Sequence, residues 1–370
     1  MKKERLCSLD VLRGLDMMLL TVFQPLVCAF NRSWKLPDWV MYQCEHPWGG
    51  FTVYDIIMPL FIFMCGAAVP LALKRRLDAE GRPTASFFKH IGWRFVYLWV
   101  LGMLCQGRII TLDPHQICYY TNTLQTIAAG YVIAAFALFI KNAKVRFALP
   151  FVLVTVYSLL LAFGGDYSKQ GNFAMKFERP IIDFLQYGKH DTNQYTWYLT
   201  TLMFGAMTLF GAQATEILVA AREAKRKFLT LAAYGAGLLA LGWTLAIWIP
   251  MIKQIFTASF TLQAMGWSML LLAGLYYLTD IVKFRKGIGL ICCFGRNALF
   301  VYMFANLFGF AAKEFGKWST QGLHLYLGEK PVPFIAGIVA AAIVCLVAVA
   351  RDRLRTLSAL ERAAAAKAQA

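Results

Sequence analysis

Hydrophobic and polar positions alternate along this chain in long blocks. Ten apolar runs, at about 11–30, 52–73, 91–108, 122–140, 146–164, 197–220, 228–249, 257–281, 288–311 and 332–350, are separated by short polar clusters. Each is close to the roughly 20 residues a helix needs to cross the hydrocarbon core of a bilayer. Backbone polar groups find no water in lipid, so such runs are expected to be helical. The pattern predicts an all-α membrane protein with about ten transmembrane helices. The third run departs most from a uniform apolar stretch, being rich in Trp, Tyr and Gly. No repeat of 20–50 residues and no composition shift is visible. The expected organisation is one polytopic domain over 1–350, followed by a basic tail over 351–370.

Composition supports this class. Of 370 residues, 59% are hydrophobic and 15% charged, against roughly 25% charged in a typical soluble domain. The formal net charge of +17 does not point to nucleic acid, because the basic residues lie in short clusters between apolar runs rather than on one domain. Placing the N-terminus in the cytoplasm puts 25 of the 37 Lys and Arg on that side and 11 on the other, with Arg296 inside a run. That bias predicts both termini inside. It puts His46 outside, at the start of the second helix, and Asp10 and Arg13 inside, at the start of the first. The longest external loop is expected at about 165–196.

Polar groups at membrane depth need a reason, since a charge there costs at least ~2.5–3.5 kcal/mol on insertion scales. Asp16 lies one turn inside the first run, where Arg13 can pair with it. Glu216 and Asp280 lie near cytoplasmic ends and read as interface residues. Asp55 sits in the first turn of a run whose next 18 residues carry no charge. There it either complements the helix dipole or orients His46, fixing its tautomer and raising the basicity of its far nitrogen. Asn122 and Gln125 open the fourth run, and Asn297 follows Arg296 early in the ninth. They serve as caps and interhelical bonds, or as donors in a site. His90, His115, His190 and His324 read as structural. No two histidines stand at i, i+3 or i, i+4, so a metal site is not expected. The nine cysteines show no CxxC pair and read as small buried hydrophobes; Cys44 with Cys118 as an external disulfide stays open. Asp10, Arg13 and Asp16 interrupt what would be the core of a cleavable signal peptide, so none is expected.

The stretch EHPWGGFTVYDIIMPLFIFMCGAAVPLAL, from Glu45 to Leu73, resembles the signature of the heparan-α-glucosaminide N-acetyltransferase family in its bacterial branch. His46, Trp48, Gly50, Thr52, Asp55, Pro59, Phe61, Phe63 and Gly66 carry the match, with the spacing between His46 and Trp48 shortened by one. RLCSLDVLRGLDMM, TLQTIAAGY, the long stretch beginning WIPMIKQIFTASF and GRNALFVYM resemble further blocks in the same order, with Phe256 where the family usually has Trp. Gln24 stands near a position where lysosomal members carry Asn, and no large N-terminal luminal domain is expected.

The resemblance implies a multipass helical enzyme of the bacterial inner membrane. It would transfer acetyl from cytosolic acetyl-CoA to the amine of a terminal glucosamine or related amino sugar outside. It implies a catalytic role for His46, with Asp55 orienting it. The cofactor-binding set on this reading is Asp10, Arg13, Asn122, Gln125, Asn297 and Lys253, with Lys74, Arg75 or Arg76 also suited to CoA phosphates. It implies a glycan acceptor, the lipid bilayer and a homodimer as partners, and no metal or nucleic acid. Direct transfer and an acetyl-histidine intermediate both fit. Two rival functions remain: an amino-sugar transporter, against which the lack of an inverted repeat counts, and an O-acyltransferase for cell-surface glycans.

Overall fold

The structure, a computed structural model, describes residues 6–73, 83–113, 115–186 and 196–368. Lys2, Lys3, Arg5, Lys74, Arg75, Arg76 and His190, all named above, lie outside the described residues. Among the described residues all regular structure is helical. Every one of the ten apolar runs falls on helix. The main elements are α1 (Cys7–Trp34), α2 (Val53–Ala72), α3 (Ala85–Cys105), α4 (Thr123–Ala137), α5 (Ala143–Gly164) and α6 (Phe173–Gln186). They continue with α7 (Thr201–Val219), α8 (Ala224–Leu245), α9 (Ala258–Ile281), α10 (Gly289–Arg296), α11 (Ala298–Thr320) and α12 (Val332–Ala368). Among the described residues eight spans, α1, α2, α5, α7, α8, α9, α11 with its extension to Leu327, and α12, are long and apolar enough to cross a membrane. α4 is apolar but shorter. α3 carries Lys89, His90 and Arg94 in its first half.

Four local features depart from the expected runs. α1 passes through a π-helical turn over Leu19–Phe23, just before Gln24 and Pro25. Proline lacks the N–H that would close the i−4 bond, and a wider turn accommodates the ring. The run at 288–311 is not one helix. It breaks between Arg296 and Ala298, at Asn297, whose φ of −116° and ψ of 21° leave the helical range. The expected external loop contains α6. The expected tail is the last part of α12, which stays helical to Ala368.

The chain forms two compact units where the sequence shows no linker. One comprises Met1–Cys44 and Leu275–Ala370, the other Glu45–Gly274. In the second unit α2 and α7 pack backbone to backbone. A Cβ on Gly66 would lie 1.8 Å from the Thr208 carbonyl oxygen, and one on Gly211 would lie 1.9 Å from that of Phe63. Only glycine allows helices this close, as at small-residue crossings in membranes. α4 joins the pair at Gly130, where a Cβ would sit 2.2 Å from Thr208 Oγ1.

The first unit repeats the device between α1 and α10. A Cβ on Gly14 would lie 1.9 Å from Ile291 O, and one on Gly295 1.9 Å from Asp10 O. Asp280 supplies the N-terminal cap of α1, its two carboxylate oxygens accepting from Cys7 N at 3.0 Å and Ser8 N at 2.9 Å. Asp352 on α12 grips the break at Asn297. It accepts from Arg296 Nε at 2.9 Å and Nη2 at 2.5 Å, and from Asn297 Nδ2 at 3.0 Å.

Candidate active site

The second unit holds a compact cluster of three ionisable side chains. Thr52 ends the loop that precedes α2, and its backbone N–H donates to Asp55 Oδ2 at 3.0 Å. This is a capping box on the first turn, Val53–Ile56. It occupies one carboxylate oxygen and fixes the rotamer. The other oxygen, Oδ1, lies 2.7 Å from His46 Nδ1 and 3.2 Å from Lys253 Nζ. Lys253 Nζ is in turn 3.1 Å from His46 Nδ1. One Asp55 oxygen thus serves the capping box at the start of α2, and the other faces His46 and Lys253.

Exposure differs sharply across the three. The Asp55 side chain is 1% exposed, that of Lys253 10%, and that of His46 45%. A buried carboxylate needs a counter-charge and hydrogen bonds to stay ionised, and Lys253 and Thr52 provide them. Burial pulls the Lys253 ammonium below the ordinary lysine pKa, while Asp55 opposes that shift. His46 accordingly shows its ring to the outside with Nδ1 turned inward. Among the described residues no hydrogen-bond partner meets Nε2.

Two loops carry this cluster and brace each other. Gly50, at φ +117°, turns the chain after His46, and its N–H donates to Met251 O at 2.9 Å. Gln254 Nε2 donates to His46 O and Pro47 O at 3.3 and 3.2 Å. Lys253 is presented by a turn closed by Phe256 N to Lys253 O at 3.0 Å. Phe256 holds φ at +46°, uncommon for a bulky side chain. Its fully buried ring, set edge-on to Phe204 at 4.8 Å, holds the chain there. Thr257 Oγ1 donates to Pro250 O, Tyr157 OH to Ile255 O and Trp197 Nε1 to Gln254 O. Beside His46, Trp48 Nε1 donates to Tyr167 O at 3.0 Å and the Lys169 ammonium stands 5.6 Å from the Trp48 ring.

The remaining sequence candidates have other surroundings. Asn122 and Gln125, both fully buried, form the N-terminal capping box of α4. Asn122 Oδ1 accepts from Leu124 N at 2.7 Å, and Gln125 Oε1 from Asn122 N at 3.1 Å. Asn297 ties the α10–α11 break to Asp352. Arg13 pairs with Asp10 at 3.7 Å, not with Asp16 as expected: i−3 on the same helix serves it instead of i+3. Asp16 is fully buried, and neither carboxylate oxygen has a hydrogen-bond partner among the described residues. Glu216 pairs with Arg146 at 3.1 Å. Asp10, Arg13 and Asn297 belong to the first unit; His46, Asp55, Lys253, Asn122 and Gln125 belong to the second.

Sequence reasoning passed over Glu178. It lies on α6, fully buried, with Oε1 accepting from Leu199 N at 3.1 Å and Oε2 without a partner among the described residues. Burial pushes its pKa up to about 8, against the backbone N–H groups of Leu199 and Tyr198. No local signal marks it, because α6 was expected to be loop.

Together these observations define an all-helical, multi-pass membrane protein with a braced His–Asp–Lys cluster. The chain belongs to the family described as a domain of unknown function (DUF5009), which matches residues 5–203. That match covers His46 and Asp55 but ends before Lys253. No curated protein matches the sequence. Among the described residues no three His, Cys, Asp or Glu side chains gather as a metal site would require.

Proposed function

We propose that this protein is an acetyltransferase that moves acetyl from cytosolic acetyl-CoA to the amine of a terminal glucosamine or related amino sugar on the far side of a bacterial inner membrane. The observation that supports this reading most is the 2.7 Å contact between the exposed His46 ring and the buried Asp55 carboxylate. An imidazole held through Nδ1 keeps Nε2 as the basic nitrogen.

An amine acceptor is mostly protonated near neutral pH and must shed a proton before it can attack a thioester. On the proposed route Nε2 of His46 takes that proton. The amine nitrogen then bonds to the thioester carbonyl carbon and gives up a second proton, the carbon–sulfur bond breaks, and CoA leaves as the thiol on taking up one of the two protons, the other passing from His46 to solvent. Asp55 stabilises the imidazolium formed on the way. General-base catalysis of this kind contributes roughly 10²–10⁴-fold. The resemblance over Glu45–Leu73 supports the choice of donor and acceptor. A homodimer is proposed on the resemblance alone.

The test is acetyl transfer by purified full-length protein in detergent, using radiolabelled acetyl-CoA and glucosamine-ended acceptors. Label in an alkali-stable amide, lost in a folded His46→Ala variant, is the expected result. Label in an alkali-labile ester would instead identify an O-acyltransferase. Absence of transfer, with uptake of amino sugar into sealed vesicles lacking acyl-CoA, would identify a transporter.

A further inference from the structure

Lys253 was expected among residues that hold the cofactor, and its ammonium faces His46 and Asp55. Among the described residues the partners of Nζ are Asp55 Oδ1 and His46 Nδ1. Three polar atoms thus form a triangle with sides of 2.7, 3.1 and 3.2 Å.

The triangle admits two proton arrangements. An ammonium has no lone pair, so a bond from Lys253 to Nδ1 requires Nδ1 to be the bare nitrogen. A carboxylate only accepts, so a bond between Asp55 and Nδ1 requires Nδ1 to carry the proton. The two exclude each other. The Asp55 contact is the shorter by 0.4 Å (2.7 against 3.1 Å), and a hydrogen bond to a charged acceptor is the stronger kind. Nδ1–H therefore donates to Oδ1, Lys253 donates to the same oxygen, and Nε2 is left bare.

Charge is balanced as well. A lone carboxylate beside an imidazole favours the imidazolium, while a cation close to Nδ1 disfavours it. Both stand within hydrogen-bond reach of Nδ1, Asp55 at 2.7 Å and Lys253 at 3.1 Å. Glu45, the residue before His46, and Lys169, over the Trp48 ring, are exposed and act through water.

We propose that Lys253 is a positioning residue for the His46–Asp55 pair: its ammonium shares Asp55 Oδ1 with the imidazole and leaves the ring's proton on Nδ1 and Nε2 free to act. This rests on the proposed function only for its catalytic consequence. The proton arrangement stands without it.

The experiment is ¹⁵N NMR of histidine-labelled full-length protein in detergent, with the His46 signals identified by their loss in His46→Gln. In the wild type the uncharged ring should show its proton on Nδ1; a proton on Nε2 would overturn the proposal with no variant needed. In Lys253→Met the titration midpoint of His46 should rise by about one pH unit or more, a tenfold gain in proton affinity. Lys253→Arg should stay within about 0.3 unit of the wild type. An unchanged or lowered midpoint in Lys253→Met overturns the proposal, and Lys253→Gln replaces it if that variant does not fold. In the acetyl-transfer assay Lys253→Met should lower kcat and leave KM for acetyl-CoA unchanged, whereas a raised KM alone would return Lys253 to cofactor binding. If no transfer occurs in the wild type while the NMR shift does, the proposed function fails and the positioning role remains.

Discussion

His46 and Asp55 touch at 2.7 Å across the boundary between outside and core, one side chain 45% exposed and the other 1%. The contact depends on a carboxylate whose second oxygen caps the first turn of α2. Asp55→Asn would keep the shape but offer Nδ1 an acceptor without charge, and would leave the Lys253 ammonium uncompensated. On the proposed function, acetyl transfer is expected to fall by roughly 10²–10⁴-fold, measured as kcat at saturating acetyl-CoA with the melting profile as the check on folding. Activity within threefold of the wild type would remove Asp55 from the mechanism.

The α2–α7 crossing gives a test of packing alone. Gly66→Ala or Gly211→Ala would drive a methyl to within 1.8 or 1.9 Å of a backbone carbonyl oxygen. Backbone cannot swing aside as a side chain can. Each change should destabilise by about 3 kcal/mol or more, read as a lower Tm in detergent or as loss of the folded protein. Gly237→Ala on α8, with open space around its Cβ position, is the matched control and should lose nothing.

Asp280 should behave as a cap reached through space rather than along the chain. Removing it exposes two N–H groups at the start of α1 and deletes a negative charge from the positive end of that helix. Asp280→Ala is expected to cost about 1–2 kcal/mol. Asp280→Asn should recover part of this, because an amide oxygen still accepts one N–H. Chemical denaturation in mixed micelles would measure both.

Glu178 should make stability depend on pH. Its folded-state pKa, up to about 8, stands above the ordinary 4.5. The folded protein therefore binds its proton more tightly than the unfolded chain does. The resulting stability is fully present below pH 4.5, declines between 4.5 and 8, and is gone above. Tm should be higher at pH 5.5 than at pH 8.5 in the wild type, and Glu178→Gln should flatten that difference. Equal slopes in both proteins would show that Glu178 does not titrate in this range.

Helix positions were legible because a period of long apolar blocks survives any tertiary arrangement. All ten runs lie on helix, and the His46–Asp55 contact was among the arrangements expected from their spacing. The misses share another origin. Lys253 stands 207 residues from His46, and no local pattern says which loop it will meet. Glu178 was hidden by an amphipathic helix too polar to register as a membrane run. The break at Asn297 depends on Asp352 far along the chain, and the choice of Asp10 over Asp16 for Arg13 depends on which face of α1 is sealed. Apolar periodicity reports which residues leave water. It does not report which polar side chains meet once they have left.

Division of the chain into an outer and an inserted unit has a consequence for synthesis. Met1–Cys44 leaves the ribosome long before Leu275–Ala370, with which it forms one compact unit. At ~5–20 residues per second, making the inserted Glu45–Gly274 takes on the order of ten to fifty seconds. During that interval α1 has Gly14 unmet by α10 and its first amides uncapped by Asp280. The inserted unit can close meanwhile, since its glycine crossing and its His–Asp–Lys cluster are encoded entirely within it. Nascent chains halted just far enough past residue 274 for the inserted unit to clear the ribosome should therefore already hold the cluster, while their first helix still waits for its partners.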